Sequence, residues 1–119
     1  MPENRDAGGI GSEDLKLVTL ARSSRARSSA GEGAAVRDTT GRTYVATPVL
    51  LPSLHLTALQ AAVAAAVSSG ADGLEAAAVV TDSDTVDADG MAAVRDLGGL
   101  GTPVLRADAQ GQVRGTERA

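Results

Sequence analysis

The 119-residue chain has no cysteine, no tryptophan and no phenylalanine, and it carries one tyrosine, Tyr44, one histidine, His55, and one lysine, Lys16. Without cysteine there is no disulfide and no thiolate to hold a metal. A single histidine leaves any imidazole-based ligand set or nucleophile–base pair dependent on His55 alone. Without aromatics there is no stacking platform for single-stranded nucleic acid, and a net charge of −4 lacks the basic face that a duplex requires. The core must be assembled from Ala, Val and Leu. Each of these buries little area, at about 25 cal/mol per Å², so a partner subunit is an expected source of stability. The N-terminus has no apolar signal-peptide region, and the expected location is cytoplasmic. Ten arginines against one lysine, with abundant Ala and Gly, suggest a GC-rich bacterial genome.

What is present fits one small domain. Residues 1–11 are polar and Gly-containing, expected to be a disordered tail; residues 12–115 form the domain and 116–119 a second tail. Ser12 is placed to cap a first helix, with Glu13 and Asp14 in its first turn and Leu15, Val18 and Ala21 at helical spacing. Arg22, Arg25 and Arg27 suit its negative end, and Ser23, Ser24, Ser28 and Ser29 read as loop serines with no base nearby. Residues 33–38, 39–42 and 43–46 read as strand, turn, strand. Ser53 to Ser69 reads as a second helix, capped by Ser53 and ended by Gly70. No Asp, Glu, Lys or Arg falls between Arg42 and Asp72. Two prolines and the short helical length rule out a membrane span, so burial between a sheet and a neighbouring subunit is expected, with Leu59, Val63 and Val67 at the interface. Leu74 to Thr81 reads as a buried central strand, residues 82–90 as an acidic loop, Met91 to Leu97 as a third helix closed by Gly98–Gly101, and Pro103–Leu105 as a strand before a turn at Gln110-Gly111. The expected architecture is an α/β sandwich.

Several motifs invite chemistry and have plainer readings. Asp82, Asp84, Asp87 and Asp89 do not follow the calcium-loop spacing and suit a solvated loop with capping carboxylates. Residues 98–101 follow a helix rather than preceding one and lack the lysine of a phosphate loop. His55, with no thiolate beside it, suits a loop or cap position.

Gly33-Ala34-Ala35 with a turn ending in Gly41-Arg42, the stretch Thr57-Ala58-Leu59-Gln60-Ala61-Ala62-Val63 running to Ala66-Val67-Ser68-Ser69-Gly70, and Val104-Leu105 followed by Gln110-Gly111-Gln112-Val113 resemble the scaffold segments of the cytidine deaminase family. The resemblance spans about nine tenths of the chain. It implies a cytidine deaminase-like α/β/α sandwich, with a mixed sheet, an N-terminal hairpin and a central buried helix. That family works with a His- or Cys-x-Glu … Pro-Cys-x-x-Cys pattern, in which three residues hold zinc and the glutamate shuttles protons. Matched by position, the first ligand falls on Thr57 and the glutamate on Leu59. The paired cysteines fall on Asp89 and Ala92, or on Gly90 and Ala93. The family's ring-contacting Phe falls on Ala30, and its ribose-holding Asn-x-Glu on Ala46 and Pro48, or on Pro48 and Leu50. Leucine cannot act as a general acid or base.

The resemblance therefore implies a catalytically inactive member with no metal or other cofactor. It would work by forming a homo-oligomer, dimer or tetramer, or by binding a protein partner, with no nucleic acid and no membrane. A nucleoside or nucleotide sensor is the alternative, with Ala30, Ala46, Pro48 and His55 around the pocket and Arg42, Arg95 and Arg106 as phosphate partners. A different reaction would need Asp89, His55 and Glu75 to converge; an active deaminase would need a non-standard site.

Overall fold

The computed structural model describes Arg5–Asp6 and residues 10–119. Its framework is a five-stranded mixed sheet: β3 (Gly33–Asp38), β4 (Thr43–Ala46), β7 (Leu74–Val80), β8 (Pro103–Ala107) and β9 (Val113–Arg118), in the order β4-β3-β7-β8-β9. Only β7 and β8 run parallel. The first hairpin lies where the sequence places it, with Ala35 opposite Val45 and Val36 opposite Tyr44. The turn is built on one carboxylate, that of Asp38, which accepts from the Thr40 N–H and hydroxyl, the Arg42 N–H and the Tyr44 hydroxyl at 2.8–2.9 Å.

Helix α1 (Ser12–Ser28) covers one face of the sheet and α2 (Ala58–Ser68) with α3 (Ala88–Gly98) the other. Alternation along β3 and β7 divides the core. Ala35, Ala76, Ala78 and Val80 meet Leu17, Val18 and Ala21 of α1. Ala34, Val36, Ala77 and Val79 meet Leu59, Ala62, Val63 and Ala66 of α2. Both faces of β3 and β7 are buried, which is why these strands read as unbroken runs of small apolar residues. The expected α/β/α sandwich, with its N-terminal hairpin and buried helix, is what the chain adopts.

Several boundaries differ from the sequence reading. Gly11, not Ser12, is the N-cap of α1, and no side chain caps it. Ser23, Ser24 and Ser28 lie within α1 rather than in a loop, and Ser29 is its left-handed C-cap. Arg25 and Arg27 sit in the last turn as expected, but Arg25 also reaches Asp82 at 3.0 Å, tying α1 to the loop after β7. Ser53 does not cap α2. Residues ahead of the helix form a separate hairpin, β5 (Val49–Leu51) with β6 (Leu54–Leu56), and α2 begins only at Ala58. Helix α3 starts three residues before Met91, because Asp87 caps it and draws part of the acidic loop into the helix. Residues 116–119 are not a tail: β9 continues to Arg118, and Ala119 is buried with its N–H donated to the Thr102 carbonyl. Within the expected N-terminal tail, Arg5–Asp6 (β1) pair with Ile10–Gly11 (β2), while 1–4 and 7–9 lie outside the described residues.

Candidate functional site

The N-terminal ends of α2 and α3 converge beside the β5–β6 hairpin and enclose an open cleft of about 470 Å³. Its position follows from the chain order. The β5–β6 hairpin delivers the chain to α2, and β7 delivers it through the acidic loop to α3, so both helices start at the same end of the sheet.

Thr57 is the N-cap of α2. Its hydroxyl accepts from the Gln60 N–H, and the Gln60 side-chain oxygen accepts from the Thr57 N–H at 3.0 Å, a reciprocal capping box. The Asp87 carboxylate caps α3 by accepting from the Gly90 N–H. One first-turn amide of each helix, that of Gln60 in α2 and that of Gly90 in α3, is thereby satisfied by a side chain. Leu59, in the first turn of α2, lies in the core and is fully buried. Gly90 packs on it so closely that a Cβ at position 90 would stand 2.9 Å from the Leu59 Cβ and 2.7 Å from an Asp87 carboxylate oxygen. The seam between the two helices is therefore filled by a leucine and admits no side chain from position 90.

The structure brings Pro48, Leu50, His55, Thr57 and Asp89 to the cleft. It separates the others. Ala92 and Ala93 are half-buried on α3, and Ala46 packs on the α2-side core. Ala30 lines a different depression beside Arg22 and Arg25. Glu75 pairs with Arg37 at 2.9 Å, and no site uniting Asp89, His55 and Glu75 exists. Leu59 and Val63, expected at a subunit interface, are buried within this chain against the sheet, because α2 turns its apolar stripe inward; of the three expected contacts only Val67 is exposed, at 54%. The exposed apolar surface lies instead on the hairpin, where Leu50, Leu51 and Leu54 are 76%, 55% and 47% exposed. Arg42 and Arg106 stand at other surface depressions, and Arg95 lies exposed on α3 outside the cleft lining.

Two polar side chains of the cleft went unnoticed in the sequence, Glu32 and Gln60. Gln60 has a local signal, the Thr-x-x-Gln spacing of a capping box. Glu32 has none, for it reaches the cleft only because β3 pairs with β7, which sets its carboxylate 2.8 Å from the Thr81 hydroxyl.

The donor set does not fit zinc. The Thr57 hydroxyl is committed to its cap, Gly90 and the alanines at 92 and 93 carry no ligand atom, and among the described residues no three of His, Cys, Asp and Glu are grouped to share an ion.

Comparison with known proteins points one way. Among solved structures, a cytidine deaminase from Burkholderia pseudomallei superposes with a TM-score of 0.75 at 23% identity, covering 87% of this chain and 90% of its own. One from Mycobacterium leprae gives 0.71 at 21% identity, covering 92% and 94%. One from Mycobacterium tuberculosis gives 0.64 at 24%, covering 75% and 80%. At these identities the likeness is one of fold. No curated protein matches the chain. A family model described as cytidine deaminase-like matches residues 10–111, and with the sandwich already traced it establishes that the chain belongs to the cytidine deaminase-like family.

Proposed function

We propose that this chain is a non-catalytic cytidine deaminase-like protein that acts by association, through copies of itself or a protein partner. The observation that carries the reading is the packing of Leu59 on Gly90 at the meeting of α2 and α3. The position that the resemblance matches to the proton-shuttling glutamate is a core leucine, and one matched to a ligand is a glycine with no room for a side chain. Proton transfer needs a titratable group within hydrogen-bond reach of the reacting atom, and leucine offers none.

Association is supported by the hairpin. Two three-residue strands that pair only with each other form a minimal unit, marginal by itself in water. This one also presents three leucines to solvent. A second copy or a partner covering it would remove that surface from water.

Two measurements on one preparation test the reading. Metal analysis should find no stoichiometric zinc, and incubation with cytidine should leave its ultraviolet spectrum unchanged; turnover with bound zinc would overturn the non-catalytic part. Sedimentation velocity should show a species heavier than one chain that Leu50→Ser with Leu54→Ser returns to the monomer. A monomer at all concentrations, with no partner required for stability, would overturn the associative part. A nucleotide sensor is disfavoured by the placement of Arg42, Arg95 and Arg106 away from the cleft.

A further inference from the structure

We propose that the cleft at the starts of α2 and α3 binds a small organic cation, an ammonium or guanidinium group on an apolar body, gripped by Glu32 and Asp89. The charges are one-sided. Both carboxylates line the cleft, and no arginine or lysine does. Among the described residues, the arginine and lysine ion pairs go to other acids: Glu13, Asp14, Glu75, Asp82, Asp108 and Glu117. Glu32 is held through one oxygen, which accepts from the Thr81 hydroxyl at 2.8 Å. Asp89 lies exposed in the first turn of α3.

An anion finds no such welcome. Helix N-termini attract anions through unpaired amides, but here the Gln60 and Gly90 amides are taken by Thr57 and Asp87, and the cleft that the helix starts border carries two carboxylates, which repel an anion. The lining also includes the apolar Pro48, Leu50 and Leu56, with His55 paired to Leu50 across the hairpin. At about 470 Å³ the space suits a small molecule. Carboxylates and hydrocarbon in one cleft match a ligand with a cationic head and an apolar body, since charge-assisted hydrogen bonds set its orientation and burial of the body adds affinity.

The test uses the full chain, with thermal unfolding and calorimetric titration of n-hexylamine and n-butylguanidine against 1-hexanol, hexanoate and cytidine 5′-monophosphate. The expected result is saturable stabilisation by the two cations alone. Asp89→Asn, at an exposed position, should leave the unliganded midpoint nearly unchanged while weakening cation binding about tenfold or more, the loss of one charge-assisted hydrogen bond. Glu32→Gln should weaken it likewise, and Asp89→Asn keeps the test valid should loss of the Thr81 contact unfold that variant. Equal binding of 1-hexanol, tighter binding of either anion, full affinity in Asp89→Asn, or no response to either cation up to about 10 mM, the weak end of specific binding, would each overturn the proposal.

Discussion

At the scale of the residue, Leu59 and Asp38 do the most. Leu59 sits where α2 meets the sheet and α3, and its side chain closes the seam that would otherwise open onto the cleft. Leu59→Ala should lose about 2–5 kcal/mol of unfolding free energy, the transfer and cavity cost of a buried leucine, measured by urea denaturation. Leu59→Glu should unfold the domain rather than restore proton transfer, because it buries an unpaired carboxylate. Asp38 is a different kind of anchor. Burial pushes its carboxyl upward, but the hydrogen bonds from Thr40, Arg42 and Tyr44 outweigh burial and hold it below the usual carboxylate range. A group whose folded value is depressed contributes stability above its unfolded value, about 3.9, and loses it as pH falls through the folded value. The gap in melting temperature between the natural chain and Asp38→Asn should therefore be widest near neutrality and shrink below about pH 4. A gap independent of pH would assign the effect to shape rather than charge.

At the scale of the element, α2 shows how a local motif and its surroundings divide the work. An Ala-rich helix has high intrinsic propensity, so its register is decided by where it can start. The Thr57–Gln60 capping box offers that start, and the β5–β6 pairing claims the residues before it. Thr57→Ala should cost about 1 kcal/mol with an unchanged denaturant slope, while Ser53→Ala, on the exposed turn between β5 and β6, should cost nothing measurable. The opposite order would return the helix start to Ser53. Arg37 plays a comparable part for α1. Its guanidinium, set on β3, meets Asp14 and Glu75, both at 2.9 Å, and so fastens the helix to two strands.

At the scale of the whole molecule, the core consists of Ala, Val and Leu from both faces of one sheet, and the apolar surface left over is concentrated on the hairpin. Replacing Leu50 and Leu54 by Ser should lower the sedimentation coefficient while leaving secondary structure by circular dichroism intact, since neither leucine is part of the core. An unchanged coefficient would place any interface elsewhere, with Leu20, Val45, Val67 and Leu100 as the large apolar residues exposed outside the hairpin.

The succession α1, first hairpin, α2, β7, α3 and β8, with the first hairpin to the residue, was legible in the sequence, because each element is written in local periodicity and turn residues, while β9 was not read. Equally legible was the absence of cysteine, and of a titratable side chain at Thr57 and Leu59, the positions that the resemblance matches to a zinc ligand and to the proton-shuttling glutamate. The β5–β6 hairpin was hidden because Ser53-Leu54 can begin a helix as readily as it can close a turn, and only cross-strand pairing decides. Burial was misjudged for the same reason. A charge-free helix announces that it is covered but not by what, and the sheet of its own chain covers Leu59 and Val63. The cleft that Glu32 and Asp89 both line belongs wholly to the tertiary structure. Those residues are far apart in sequence, and only the pairing of β3 with β7 carries one to the helix start that holds the other.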